Sequence, residues 1–179
     1  MQNITVTTNA QKVLDFLMQF PEKEYLEKEI QKSTDISKAG VNLAIKDLHR
    51  LGLIKKITRG KISFYRIDSS IPFVKQLKTV RTVYILSPLI KKLSKISRKI
   101  VLYGSCSRGE DTSDSDIDLF VATNQPGTVK KEIQQNRFAR KVQLTVRTPL
   151  KFIEMEKTDP VFSSEINRGI VLWESKDEH

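Results

Sequence analysis

Gly104-Ser105-Cys106-Ser107-Arg108-Gly109-Glu110-Asp111-Thr112-Ser113-Asp114-Ser115-Asp116-Ile117-Asp118 is the stretch on which the reading of this chain turns. An apolar run, Ile100-Val101-Leu102-Tyr103, leads into it, and a second, Leu119-Phe120-Val121, leads out. Both have the length and composition of short buried strands. Residues i and i+2 of a strand share a face, so Asp116 and Asp118 project to one side while Ile117 and Leu119 project into a core. Two hard oxygen ligands beside a Gly-Ser turn form a seat for Mg2+ and for the phosphates of a nucleotide. A surface turn rich in Asp and Ser is the alternative, but turn chemistry alone requires neither the flanking strands nor the same-face carboxylates.

The Gly-Ser pair, the ten residues that follow it and the Asp-x-Asp of Asp116 and Asp118 resemble the signature of the DNA polymerase β-like nucleotidyltransferase superfamily. Arg108-Gly109 is similar to the arginine-glycine element of its minimal nucleotidyltransferase branch. The resemblance implies a mixed sheet backed by helices, with ATP or another nucleoside triphosphate as substrate or ligand and Mg2+ or Mn2+ as cofactor. It makes Gly104 and Ser105 phosphate contacts and Asp116 and Asp118 the metal-binding, catalytic pair. Arg108 would either neutralise developing negative charge or form an ordinary surface salt bridge. It also implies a third acid on the next strand. That strand is Lys141–Val146, whose inward polar position is Gln143, with Thr145 as the adjacent option. Neither is a carboxylate, and Gln offers a metal only a neutral oxygen and cannot act as a base. Glu132, the nearest upstream acid, falls in a polar helix expected over Val129–Arg140.

The chain has 179 residues and a formal net charge of +10, which favours a polyanionic partner. Between Lys75 and Lys99 there are eight basic residues, Lys78 among them, and no acid. No apolar run reaches the length of roughly 20 residues that a membrane helix needs. Met1–Thr5 lacks the basic and apolar regions of a signal peptide. A lone cysteine, Cys106, excludes an internal disulfide and suits a reducing cytoplasm, and packing in a tight turn explains it better than reactivity does. With only His49 and His179, a histidine-based zinc site is not expected.

The first seventy residues have their own pattern. Ala10–Phe20 spaces Val13, Leu14, Leu17 and Met18 as an amphipathic helix, ended by Pro21. A second helix is expected over Tyr25–Gln31. A third, capped by Ser37, buries Val41, Ala44, Ile45 and Leu48 and stops near Leu51-Gly52. Leu53–Thr58 and Lys61–Ile67 then alternate as a hairpin through Arg59-Gly60. This is the winged helix-turn-helix order, and Leu48–Ile54 resembles the entry into the wing of bacterial and archaeal regulators. Lys38, Asn42, Lys46 and Arg50 recur every four residues on the third helix, a stripe suited to a major groove, and Arg59 and Lys61 lie at the wing tip. Double-stranded DNA is the expected partner. A winged helix used for protein contact is the alternative.

The domain boundary is expected at Ser69-Ser70-Ile71-Pro72, dividing a winged-helix domain (1–70) from a nucleotidyltransferase-like domain (71–179). The second opens with basic helices over 72–97, broken at Ser87-Pro88, and continues with a helix begun at Thr148-Pro149. Gly169–Glu174 closes the chain as an edge strand. The segment from Arg140 to Trp173 resembles archaeal two-domain proteins that join these two modules. The fold class is therefore α/β (α+β), and the expected protein is cytoplasmic. Transfer of a nucleoside monophosphate to a hydroxyl is one reading. The others are a catalytically impaired regulator that senses nucleotide or dimerises through this domain, and the antitoxin of a toxin–antitoxin pair with a co-encoded partner protein. Palindromic DNA sites would favour a homodimer.

Overall fold

The structure, a computed structural model, describes residues 8–136 and 138–175. The expectations on Met1–Thr5 and His179 lie outside the described residues. The chain divides into two compact units, Met1–Lys75 and Gln76–His179.

The first unit runs α1 (Asn9–Gln19), β1 (Tyr25–Leu26), α2 (Glu27–Thr34), α3 (Lys38–Arg50), β2 (Ile54–Arg59) and β3 (Ile62–Ile67). A capping box starts α1: Thr8 Oγ1 accepts from the Gln11 amide at 3.2 Å and the Gln11 side chain accepts from the Thr8 amide at 2.9 Å. The four apolar residues of the predicted stripe are its buried face. The second helix begins two residues later than the sequence suggests. The Leu26 amide donates to the Glu29 carboxylate at 2.8 Å, which fixes the helix start at Glu27. Tyr25 and Leu26, freed from the helix, pair antiparallel with Tyr65 and Phe64 in a sheet of order β1-β3-β2. α3 is capped by Ser37 Oγ on the Gly40 amide, and Val41, Ala44, Ile45 and Leu48 are buried as expected. Gly60, at φ +61°, makes the two-residue turn between β2 and β3 with Lys61.

The second unit is reached along α4 (Pro72–Leu93), followed by β4 (Lys99–Tyr103), α5 (Gly104–Arg108), β5 (Ile117–Ala122) and α6 (Pro126–Gln135). Then come β6 (Val142–Arg147), α7 (Pro149–Thr158), α8 (Pro160–Asn167) and β7 (Ile170–Glu174). Its sheet has the order β6-β5-β4-β7 and is mixed, since β5 and β6 pair parallel while the other pairs are antiparallel. One face carries Ile100, Leu102, Leu119 and Val121 against Leu86, Leu89 and Leu93 of α4 and Val129 of α6. The other carries Val101, Tyr103, Phe120 and Ala122 against Met155 of α7 and Ile166 of α8. Asp118 is in phase with Phe120 and so belongs to the α7–α8 face.

Two sequence expectations are corrected here. The helix breaks neither at Ser87-Pro88 nor continues to Ser97, but passes through Pro88 and ends at Leu93. A proline inside a helix costs about 3 kcal/mol. Leu86, Leu89 and Leu93 are fully buried around it, each contributing roughly 1.5–3 kcal/mol, so packing outweighs the lost hydrogen bond. The polar helix expected over Val129–Arg140 is Pro126–Gln135 instead. Pro126 opens it at a first-turn position, and Asn136 closes it by donating to the Glu132 carbonyl at 2.6 Å.

Candidate functional site

β4 delivers the chain to one end of the sheet, where Tyr103 stands opposite Asp118 on β5. The next residue, Gly104, turns at φ +68° and begins α5. A Cβ on residue 104 would collide with the Asp118 Oδ2 oxygen. Only glycine permits both the left-handed backbone and this close approach of a carboxylate. Asp116 lies just ahead of β5 and forms an ion pair with Lys141 at 3.2 Å. Burial pushes the Asp118 carboxyl above the ordinary carboxylate range, the negative charges of Glu165 and Asp116 push it further, and Arg108 pulls it back. Gly104, Arg108, Asp116 and Asp118 thus converge on one end of the sheet. Ser105 is half-buried in the single turn of α5, and Arg108 is exposed at its end, its Nε donating to Glu110 at 3.0 Å.

The register of β6 separates the alternatives for the position of the third acid. Gln143 stands beside Asp118, whereas Thr145 stands beside Phe120 and shares a hydrogen bond of 3.2 Å with the Tyr103 hydroxyl. Glu132 is on α6, which packs on the opposite face, and it pairs with Lys92 at 3.3 Å. The oxygen ligands available to a divalent ion are therefore the carboxylates of Asp116 and Asp118 and the neutral amide of Gln143. Among the described residues no three acidic, histidine or cysteine side chains cluster closely enough to hold an ion on their own. Mg2+ fits such a site, because it is commonly held by one or two carboxylates together with substrate phosphates.

Sequence reasoning missed two features. The first is a buried ionic network under the loop that joins Gly104 to Asp116. Lys78, which the sequence places in the basic run from Lys75 to Lys99, is only 3% exposed. Its Nζ lies 3.4 Å from Asp111 Oδ1 and donates to the Asp111 carbonyl. Arg140 donates to Asp111 Oδ2 at 2.5 Å and to Cys106 Sγ at 2.6 Å. The Cys106 thiol in turn donates to the Asp116 carbonyl at 3.3 Å. Burial drives that thiol up to about 11, so it is a packing group, as expected of it. No sequence spacing signals this network, since its members are separated by about thirty residues of chain.

The second missed feature is Glu165. It lines a cleft of about 630 Å3 with Ser107, Arg108, Pro160, Val161, Ser164 and Arg168. The only sequence signal was Asp159-Pro160, an N-cap and first-turn proline that start a separate α8.

In the first unit, Lys38, Lys46 and Arg50 are exposed along α3, and Asn42 is half-buried with its amide 3.5 Å from Glu27. Arg59 ends β2 and Lys61 follows the turn, both exposed. Arg50 pairs with Asp47 at 3.0 Å and Arg59 with Glu24 at 2.9 Å. Exposed pairs of this kind are worth about 0–1 kcal/mol, so exchanging the acid for a phosphate costs little.

A family model described as "Polymerase beta, Nucleotidyltransferase" matches residues 86–178, just over half of the chain and every strand of the second sheet. No curated protein matches. Two solved structures, each a single-substitution mutant of Lactococcus lactis ZitR, are similar at 21% identity and a TM-score of 0.37. They cover 51% and 53% of this chain, which spans 65% and 67% of theirs, under two thirds of the first.

Removing Asp111 leaves Lys78 and Arg140 with uncompensated buried charge, a loss that typically costs about 3–5 kcal/mol. Urea unfolding of Asp111→Ala will show a drop of that order. For Asp118, the raised folded value means that the folded state bears a penalty once pH exceeds that value, and none below the unfolded value of about 3.9. Asp118→Asn therefore raises the melting temperature of the metal-free chain at neutral pH. Thermal scans will show the gain vanishing as pH falls to about 3.5.

Proposed function

The chain belongs to the polymerase beta nucleotidyltransferase family, and from that membership we propose that its second unit binds a magnesium nucleoside triphosphate and transfers the nucleoside monophosphate to a hydroxyl. The observation that supports this reading is the approach of Gly104 to Asp118, so close that a Cβ on residue 104 would collide with Asp118 Oδ2. Gly104 and Ser105 present the start of α5 to the phosphates. Asp116 and Asp118 hold Mg2+ (or Mn2+), which when bound neutralises phosphate charge and polarises the reacting phosphorus. Arg108 exchanges Glu110 for the charge that builds on the leaving pyrophosphate. Lys78, Asp111 and Arg140 hold the loop so that these groups need not reorganise.

The first unit, in this reading, is a winged helix that binds double-stranded DNA in a cytoplasmic protein. Its support is the exposed stripe of Lys38, Lys46 and Arg50, with Asn42 beside it, and the cations Arg59 and Lys61 around the turn of the wing. A second reading, a regulator that senses nucleotide without turning it over, is favoured by one observation: an amide rather than a carboxylate stands beside Asp118 at Gln143. Gln143→Asp separates the two, since a large rise in transfer from a silent wild type marks a sensor.

Calorimetry with Mg-ATP tests the nucleotide site. Wild type binds, and both Gly104→Ala and Asp118→Asn weaken binding by at least about tenfold, the effect of about 1.4 kcal/mol. Equal affinity in all three proteins would falsify the assignment. For DNA, Lys38→Glu with Arg59→Glu removes two phosphate contacts, so gel-shift affinity for the cognate site falls by at least about tenfold and the salt dependence flattens. An unchanged shift removes DNA from the reading.

A further inference from the structure

We propose that Glu165 receives the proton of the acceptor hydroxyl, the task for which residue 143 has no carboxylate, and that the cleft it lines is the acceptor site. This rests on the transferase reading and extends it. α8 is anchored on the sheet by Phe162, whose ring meets Tyr103 edge-on at 5.7 Å, and by Ile166, which is buried in the same core. Residue 165 lies three positions beyond Phe162 and one before Ile166. It therefore flanks that seam, and its side chain opens into the cleft with Ser107 and Arg108 of α5. Tyr103, the neighbour of Phe162, is the register partner of Asp118.

Two further facts fit a proton acceptor better than a metal ligand. The cleft that holds Glu165 includes part of α5, the helix begun by the turn of Gly104 against Asp118. Yet among the described residues the acids do not gather into a set of three able to hold one ion. Glu165 thus shares a cleft with α5 and is set apart from the Asp116–Asp118 pair, the arrangement that a hydroxyl placed between them requires. Arg108 and Arg168 line the same cleft and offset its charge, while Ser107 and Ser164 supply hydrogen-bonding hydroxyls. A volume of about 630 Å3 lies in the range of sites that enclose small organic groups.

The step balances without any further reactant. The acceptor oxygen forms a bond to the α-phosphorus, the bond from that phosphorus to the oxygen bridging to the β-phosphate breaks, and pyrophosphate leaves. The hydroxyl proton passes to the Glu165 carboxylate and from there to solvent.

The test measures pyrophosphate release from Mg-ATP with water and glycerol as hydroxyl donors, and Mg-ATP affinity by calorimetry, on the full chain. Glu165→Gln is expected to slow release by about a hundredfold or more, the usual worth of a positioned base, while affinity stays within about twofold. Adding Gln143→Asp to it is expected to restore at least about a tenth of the lost rate. If Glu165→Gln releases pyrophosphate as wild type does, or loses affinity in parallel with rate, the base role is overturned. If wild type binds Mg-ATP but releases nothing, the sensor reading replaces the transferase one and the base role falls with it, while nucleotide binding stands. If wild type does not bind at all, the transferase reading itself falls, and this proposal with it.

Discussion

Everything at the nucleotide end of the second unit depends on the space that residue 104 leaves empty. β4 and β5 pair so that Asp118 stands against the end of β4, and the chain must turn away at once if the carboxylate is to remain accessible. The left-handed backbone of Gly104 makes that turn, and the missing side chain admits Asp118 Oδ2. In the proposed reading, phosphate contact and metal contact would be two consequences of one steric fact.

The loop that follows is held by charge rather than by apolar packing. Asp111 bridges Lys78 on α4 and Arg140 ahead of β6, and Arg140 continues through Cys106 to the Asp116 backbone. Three elements distant in sequence are tied to a segment with almost no hydrophobic side chains of its own. Such a network is weak support for stability compared with an apolar core, but it specifies one loop conformation. In the proposed reading, that suits a site whose two carboxylates repel each other until a cation is bound between them.

The sequence was most legible where chemistry and strand phase coincide. The face that Asp118 joins could be read from strand phase, whereas Asp116 lies just ahead of β5 and Gly104 was singled out by its resemblance to a family signature. The absence of an acid at Gln143 was legible for the same reason, and the register with Asp118 agrees with it. The helix through Pro88 was not legible, since local propensity speaks against it and only the burial of Leu86, Leu89 and Leu93 explains it. Tyr25 and Leu26 were misplaced because a strand of two residues has no periodicity to detect. Lys78 and Glu165 escaped for a deeper reason. Their meaning lies in partners brought to them by the fold, and a basic run or a short acidic helix looks the same with or without such partners.

The lone thiol acquires an unplanned use from its surroundings. Cys106 is fully buried and its ionisation is pushed to about 11, so at neutral pH about one molecule in ten thousand carries the nucleophilic form. A maleimide or iodoacetamide added to the native chain reacts there only during moments when α5 lifts from the sheet. Its rate of modification is then a built-in clock for the opening of the phosphate turn, read without introducing any label or mutation.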